Sequence, residues 1–269
     1  MNSVAKLSIS QAWDESRAVL ARDGKLIGTV ALALFVLPGI VLDLVMPEAP
    51  AGQFPPAGLW MAVAVVAIVI SLVGQLAIIR LAMGPHLTVG EAIAHGARRL
   101  LSYLGAVLIW AVPLTLIIGG LFASAGDDPE NPSPVAALGL IVVGLVGIFL
   151  AVRFLMMSSV ASAEGSGPLA ILRRSWAITG GNWWRLFGFL VSFAIGALAL
   201  LWAVGTVAGV LCQLAFGSIA RMTPGGLIVI IVSQLVSALV SLVFFVMLAR
   251  LYTQRSEAAA QASVPSSGT

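Results

Sequence analysis

Apolar residues run almost without interruption through six stretches, near 26–46, 59–80, 103–124, 135–157, 186–213 and 226–250. Each is long enough for a helix of about 20 residues, the length that crosses a hydrocarbon core of about 30 Å. Between Trp60 and Ile79 no side chain is ionisable and eleven residues are Val, Ile or Leu; at about −0.3 to −0.6 kcal/mol each, insertion gains several kcal/mol. Arg80 ends that stretch. The pattern predicts an all-α membrane protein built as a six-transmembrane helix bundle. Only the first stretch invites a signal-peptide reading, and its length and the mixed charges before it favour a retained anchor.

Three shorter segments, before the first, third and fifth spans, follow a helical period of apolar and polar positions. The first opens on a Ser8-x-x-Gln11 capping box, puts Ile9, Ala12, Trp13, Val19 and Leu20 on one face, and meets Gly24 as a stop signal. The second opens on Thr88-x-x-Glu91, with Val89, Ala92, Ile93, Ala97 and Leu100 on one face and Glu91, His95 and Arg98 opposite. The third starts near Ser166-Gly167-Pro168, spaces Leu169, Leu172 and Trp176 helically, and stops at Gly180-Gly181. Each reads as an interfacial amphipathic helix. Because the even-numbered spans end in Arg80, Arg153 and Arg250, the whole reads as three copies of one unit, an interfacial helix plus a transmembrane hairpin, against the alternative of a chance likeness among apolar hairpins. Residues 1–255 form a single integral membrane domain on this reading, and residues 256–269, "SEAAAQASVPSSGT", a disordered tail.

Composition agrees with lipid as the solvent: 60% of the 269 residues are hydrophobic and 9% charged, against roughly a quarter charged in soluble chains. The net charge of +3 is unevenly placed. Lys6, Arg17, Arg22, Lys25, Arg80, Arg98, Arg99, Arg153, Arg173, Arg174, Arg185, Arg250 and Arg255, thirteen of the fourteen basic residues, fall on one side of a six-span topology. Arg221 falls on the other, with Asp43, Glu48, Asp127, Asp128 and Glu130. The positive-inside rule then predicts cytoplasmic N and C termini in a bacterial cytoplasmic (inner) membrane. It also removes a nucleic-acid reading of the charge, since arginines beside helix ends meet anionic lipid.

The run "PLAILRRSWAITGGNWWRLFGFL" before the fifth span resembles the bacterial membrane-domain family named after glycerophosphoryl diester phosphodiesterases, which includes the YciC-like proteins. Leu169, Leu172, Arg173, Arg174, Ser175, Trp176 and Thr179, then Gly181-Asn182-Trp183-Trp184-Arg185, carry the likeness. It implies a six-span membrane domain. Some members carry a separate soluble phosphodiesterase domain, for which nothing after Arg255 provides sequence.

Searches for chemistry return little. His86 and His95 lack the spacing of a zinc hydrolase. The "GDDPENP" loop lacks the spaced ligands of a calcium loop and reads as a solvated turn. Neither a phosphate-cradling Gly-x-x-x-x-Gly-Lys nor a Gly-x-Ser-x-Gly elbow occurs. The lone Cys212, inside an apolar run, reads as packing. No catalytic residue, metal site or cofactor is therefore expected. Within the spans, Ser71 and Gln75, Gln213, and Ser233, Gln234, Ser237 and Ser241 are polar; the serines at 233, 237 and 241, like Gly188–Ser192–Gly196 and Gly205–Gly209, read as rows that let helices approach closely. Pro38 and Pro113 fall about mid-span and are candidate kinks.

The preferred functional expectation is a non-enzymatic multi-pass protein whose basic-aromatic helices contact lipid headgroups or a partner, in support of membrane organisation or envelope homeostasis. Arg173, Arg174, Trp176, Trp183, Trp184, Arg185, Arg98 and Arg99 are the candidate contacts, and Arg80, Arg153 and Arg250 the membrane-end anchors. Membrane lipids are the expected partners, with a protein partner or a second copy left open. The alternatives are a transporter or lipid-handling protein that moves an amphiphile between helices, and a membrane enzyme of glycerophospholipid metabolism. A topology reporter tests the orientation: fused after Thr269, a fluorescent protein is expected to glow and alkaline phosphatase to stay inactive, and the reverse pair of signals overturns it.

Overall fold

The computed structural model describes residues 7–47, 49, 55–84, 87–124 and 133–263, so His86 and the acidic "GDDPENP" turn lie outside the described residues. Among them there is no strand. The order is α1 (Ile9–Ala31), a π-helical turn (Leu32–Val36), α2 (Leu37–Val45), α3 (Leu59–Met83), α4 (Val89–Ser124), α5 (Pro134–Arg153), α6 (Met157–Ala163), α7 (Pro168–Thr179), α8 (Trp183–Phe216) and α9 (Pro224–Ser263). Six helical stretches are long and apolar enough to cross a membrane, and the six-span all-α expectation holds.

Two of the three amphipathic segments do not stop where expected. α1 passes through Gly24 and joins the π turn and α2 without a break, and α4 carries its amphipathic start directly into its apolar span. A single glycine costs a helix only about 1 kcal/mol. Along α1 that cost is met by buried positions on either side of Gly24, Ala12, Ser16 and Val19 before it and Ile27 and Val30 after it. The helix departs from α geometry instead at the π turn just ahead of Pro38, whose missing N–H and bulky ring disturb the preceding turn. Only the third segment, α7, is separate: Gly181, with φ 77°, occupies the left-handed region that glycine favours and turns the chain into α8. Of the three amphipathic segments, one is thus an independent helix and two are the leading turns of a span. The chain after Arg255 also departs from the reading, because α9 continues through residue 263; residues 264–269 lie outside the described residues.

The capping boxes differ in completeness. Thr88 and Glu91 form both bonds, Glu91 N–H to Thr88 Oγ1 at 3.3 Å and Thr88 N–H to Glu91 Oε2 at 2.9 Å. At α1 only Gln11 N–H to Ser8 Oγ forms, at 3.3 Å, while the Gln11 side chain turns to Glu15.

Packing is concentrated at the end of the bundle that carries the N terminus and Arg255. There α3 is surrounded, with Leu76, Ala77, Ile78, Ile79 and Ala82 fully buried. α6, "MSSVASA", is buried except at Ala163 and wedges between α3, α4 and α7. The other half is open: residues 107–124 of α4, 137–151 of α5 and 190–211 of α8 include no buried position. The small-residue rows on α8 follow suit, since a Cβ added at Gly188, Gly196, Gly205 or Gly209 would meet nothing within 4 Å. This corrects the close-approach reading of those rows. Close approach occurs elsewhere, at Gly96, where a Cβ would lie 2.6 Å from the Val73 carbonyl oxygen of α3.

The contrast generates a paired prediction. Gly96→Ala is expected to destabilise the detergent-solubilised protein by about 1–3 kcal/mol, the cost of overpacking, seen as a lower melting temperature. Gly205→Ala is expected to leave it unchanged or slightly raised.

Candidate functional site at the basic end of the bundle

Helix ends leave their last four carbonyls without intrahelical partners, and lipid supplies no donors to them. At the basic end, side chains from other helices fill that need at Arg153, Ser162 and Ala82, and they also reach two carbonyls away from any helix C-terminus, those of Leu76 and Leu7. The Arg153 carbonyl, at the close of α5, accepts from Ser175 Oγ at 3.0 Å and from Thr179 Oγ1 at 3.1 Å. In α6 the Ser162 carbonyl accepts from His95 at 2.8 Å, while Ser162 Oγ donates to the Leu76 carbonyl of α3 at 2.9 Å. Arg250 donates to the Ala82 carbonyl, and Arg185 to the Leu7 carbonyl at 2.9 Å.

These bonds redraw the faces read from sequence. The buried face of α7 is Ile171, Leu172, Ser175, Ile178 and Thr179, whereas Leu169 and Trp176 are exposed. Trp176 serves another purpose. The Arg153 guanidinium lies 4.7 Å from its ring centroid and 5.3 Å from that of Phe149, a double cation–π contact. Phe149 in turn stacks on Trp183 at 5.8 Å, and Trp183 on Phe187 at 5.1 Å. Arg153 is therefore clamped by an aromatic group that extends to Trp184, which is 77% exposed.

His95 is half-buried and inward-facing rather than a surface histidine. It sits in the amphipathic leading turns of α4, ahead of the apolar part of that helix. Burial holds its imidazole below the usual range; the Ser162 bond opposes this, and Arg80, Arg99 and Arg98 add to the depression. The ring donates to a carbonyl, with three guanidiniums near it.

The arginines divide by use. Arg174 pairs with Glu164 at 2.9 Å, and Glu164 also accepts from Tyr252 at 2.8 Å. Arg153, Arg185 and Arg250 are engaged as above. Arg80, Arg98, Arg99 and Arg173 belong to neither of the two ion pairs among the described residues. Arg98 donates only to the Ala94 carbonyl of its own helix, at 3.2 Å. Arg98 and Arg173 are exposed, Arg80 and Arg99 half-buried. Sequence reasoning passed over Ser162 and named Ser175 and Thr179 only as part of the family likeness, without their capping role; a serine or threonine beside an arginine-ended span was the available signal. Among the described residues, no group of three His, Cys, Asp or Glu side chains is placed to hold a metal ion.

A family model described as a domain of unknown function, DUF7847, matches residues 7–255, and the chain belongs to that family. No curated protein and no solved structure matches the chain.

Replacing both donors to the Arg153 carbonyl, Ser175→Ala with Thr179→Val, is expected to cost about 1–3 kcal/mol, the penalty of a buried unpaired acceptor. Thermal unfolding in detergent measures it, with Thr179→Ser as the control that keeps the hydroxyl and stays near the parent value.

Proposed function

We propose that this member of the DUF7847 family is a non-enzymatic, multi-pass protein of the bacterial cytoplasmic membrane, with both termini cytoplasmic, whose basic end binds anionic phospholipid headgroups. The observation that carries the reading is a group of guanidiniums left over after helix ends are capped: Arg80, Arg98, Arg99 and Arg173, like Arg17 on α1, are in neither ion pair among the described residues. Trp176 and Trp184 are exposed rings of the kind that settle at headgroup level, and Arg173 lies one helical turn from Trp176 on α7. A structural role in membrane organisation follows from a bundle fastened at this end. The likeness to the phosphodiesterase-associated membrane domains fits the same picture of a membrane part without catalytic groups of its own. A second reading, the handling of an amphiphile between helices, is favoured by the open faces of α4, α5 and α8.

Lipid retention tests the first reading. Purified protein is expected to keep phosphatidylglycerol in preference to phosphatidylcholine in native mass spectrometry. Arg98→Gln, Arg99→Gln and Arg173→Gln together are expected to erase the preference. At about 1 kcal/mol per basic residue near an anionic surface, the preference amounts to roughly tenfold to a hundredfold. Equal retention of the two lipids by the parent protein overturns the reading.

A further inference from the structure

We propose that a crevice between α2, α3 and α9 is a binding site for an amphiphile that carries a primary ammonium group. The crevice has a volume of about 290 Å³. Its polar lining is Ser71, Gln75, Gln234, Ser237 and Ser241, set among apolar walls that include Phe35 and Ala67. Ser71 is twelve residues into α3 and Gln234 ten residues into α9, so at 1.5 Å per residue the polar groups lie about 15–18 Å from those helix ends, mid-membrane in depth. Polar groups at that depth ordinarily serve contact between helices; here they border a space instead of a neighbouring helix face.

The backbone is shaped around this space. The π turn at Leu32–Val36 presents the Leu34 carbonyl, which accepts from Ser71 Oγ at 3.4 Å. Gly39 gives the Gln234 carboxamide room, since any Cβ there would collide with it. The amide then donates to Asp43 Oδ2 at 2.7 Å. Serines 237 and 241, read from sequence as a helix-packing row, line an open space.

Charge selects the occupant. Asp43 takes part in neither ion pair among the described residues, and Arg221, on the same end of the bundle, donates instead to the Met46 carbonyl. The crevice thus has one carboxylate beside it, acceptor oxygens on its walls and no basic side chain in its lining. That complements a cationic donor and opposes a phosphate or carboxylate. Size argues against a bare ion, because a water-sized occupant takes about 30 Å³, whereas small-molecule sites begin near 300 Å³. An ammonium head among the hydroxyls and amides, with its alkyl body against Phe35 and Ala67, uses the space and the charge together.

The experiment uses the full chain in phosphatidylcholine nanodiscs, with octylammonium, octanol and octanoate as probes below their aggregation limits and empty discs as the blank. Saturable octylammonium binding is expected at one site, about tenfold or more tighter than octanol, as attraction to the Asp43 carboxylate beside the crevice implies, with no octanoate binding. Asp43→Asn is expected to remove the ammonium preference, and Ser237→Ala with Ser241→Ala to weaken binding roughly two- to tenfold. Ala67→Phe, which fills the crevice and leaves Asp43 in place, is expected to abolish binding and keeps the test decisive if the Asp43 variant does not fold. Arg98→Gln with Arg99→Gln should leave octylammonium binding intact, which separates this site from the headgroup-binding end. Equal affinity for octanol, binding that survives Ala67→Phe, or saturable sodium binding without octylammonium binding overturns the proposal.

Discussion

A hydrogen-bond acceptor at a helix end cannot be left bare in lipid, and much of the basic end of this bundle follows from that constraint. The helix-end carbonyls of Ala82, Arg153 and Ser162 each receive a donor from a different helix, and the same end adds cross-helix bonds to the Leu76 carbonyl inside α3 and to Leu7 ahead of α1. Each such bond fixes two elements at once, so the caps that satisfy the backbone also set the register of α3, α6, α7, α8 and α9. The positively charged side chains have an added reason to be there, because the C-terminal end of a helix carries partial negative charge. Arg80 and Arg153 lie in the last turns of α3 and α5, where topology, helix dipole and capping all favour a cation.

That overlap of causes explains why charge alone could not identify a ligand site. Thirteen basic residues crowd one side in the sequence, yet several are already committed inside the protein. Arg153 is held by Trp176 and Phe149, Arg174 by Glu164, Arg185 and Arg250 by backbone carbonyls. Only by subtracting those does a smaller set, centred on Arg98, Arg99 and Arg173, emerge as available to an anionic surface.

The spans were legible because their signal is long and one-sided: twenty or more apolar residues admit few other fates. Helix breaks were less so. Gly24 and Gly180-Gly181 look alike as stop signals, but only the second includes a positive φ, and the first sits in a helix held by buried residues on both sides of it, Ala12 to Val19 and Ile27 to Val30. α6 gave no usable signal at all, since a short helix of small residues buried on all sides has no amphipathic period. The resemblance through Arg173 to Arg185 located the aromatic corner but not its purpose, because a guanidinium clamped by Trp176 leaves no mark in spacing. His95 was misplaced for the opposite reason: its position on the polar face was correct, and the buried α6 that covers that face was invisible.

Small residues were the most ambiguous feature, and their ambiguity has a thermodynamic origin. In water a row of glycines and serines invites closure, because closing removes apolar surface from solvent. In lipid that drive is absent, so the row closes only where shape and hydrogen bonds reward contact. At Gly96 they do: α4 lies against the Val73 carbonyl, beside the tight core around Leu76 and Ile79. At Gly188 and Gly196 they do not, and the space stays open. Ser237 and Ser241 stand on the open side of the same divide, on a crevice wall. A bundle locked at one end by caps and loosely packed at the other has its stability and its freedom at opposite ends, and regions with few buried contacts are those that open at the least cost. The arrangement gives the crevice by Asp43 a rigid frame on one side and yielding walls on the other, which is the physical condition for a site that admits a guest from the bilayer.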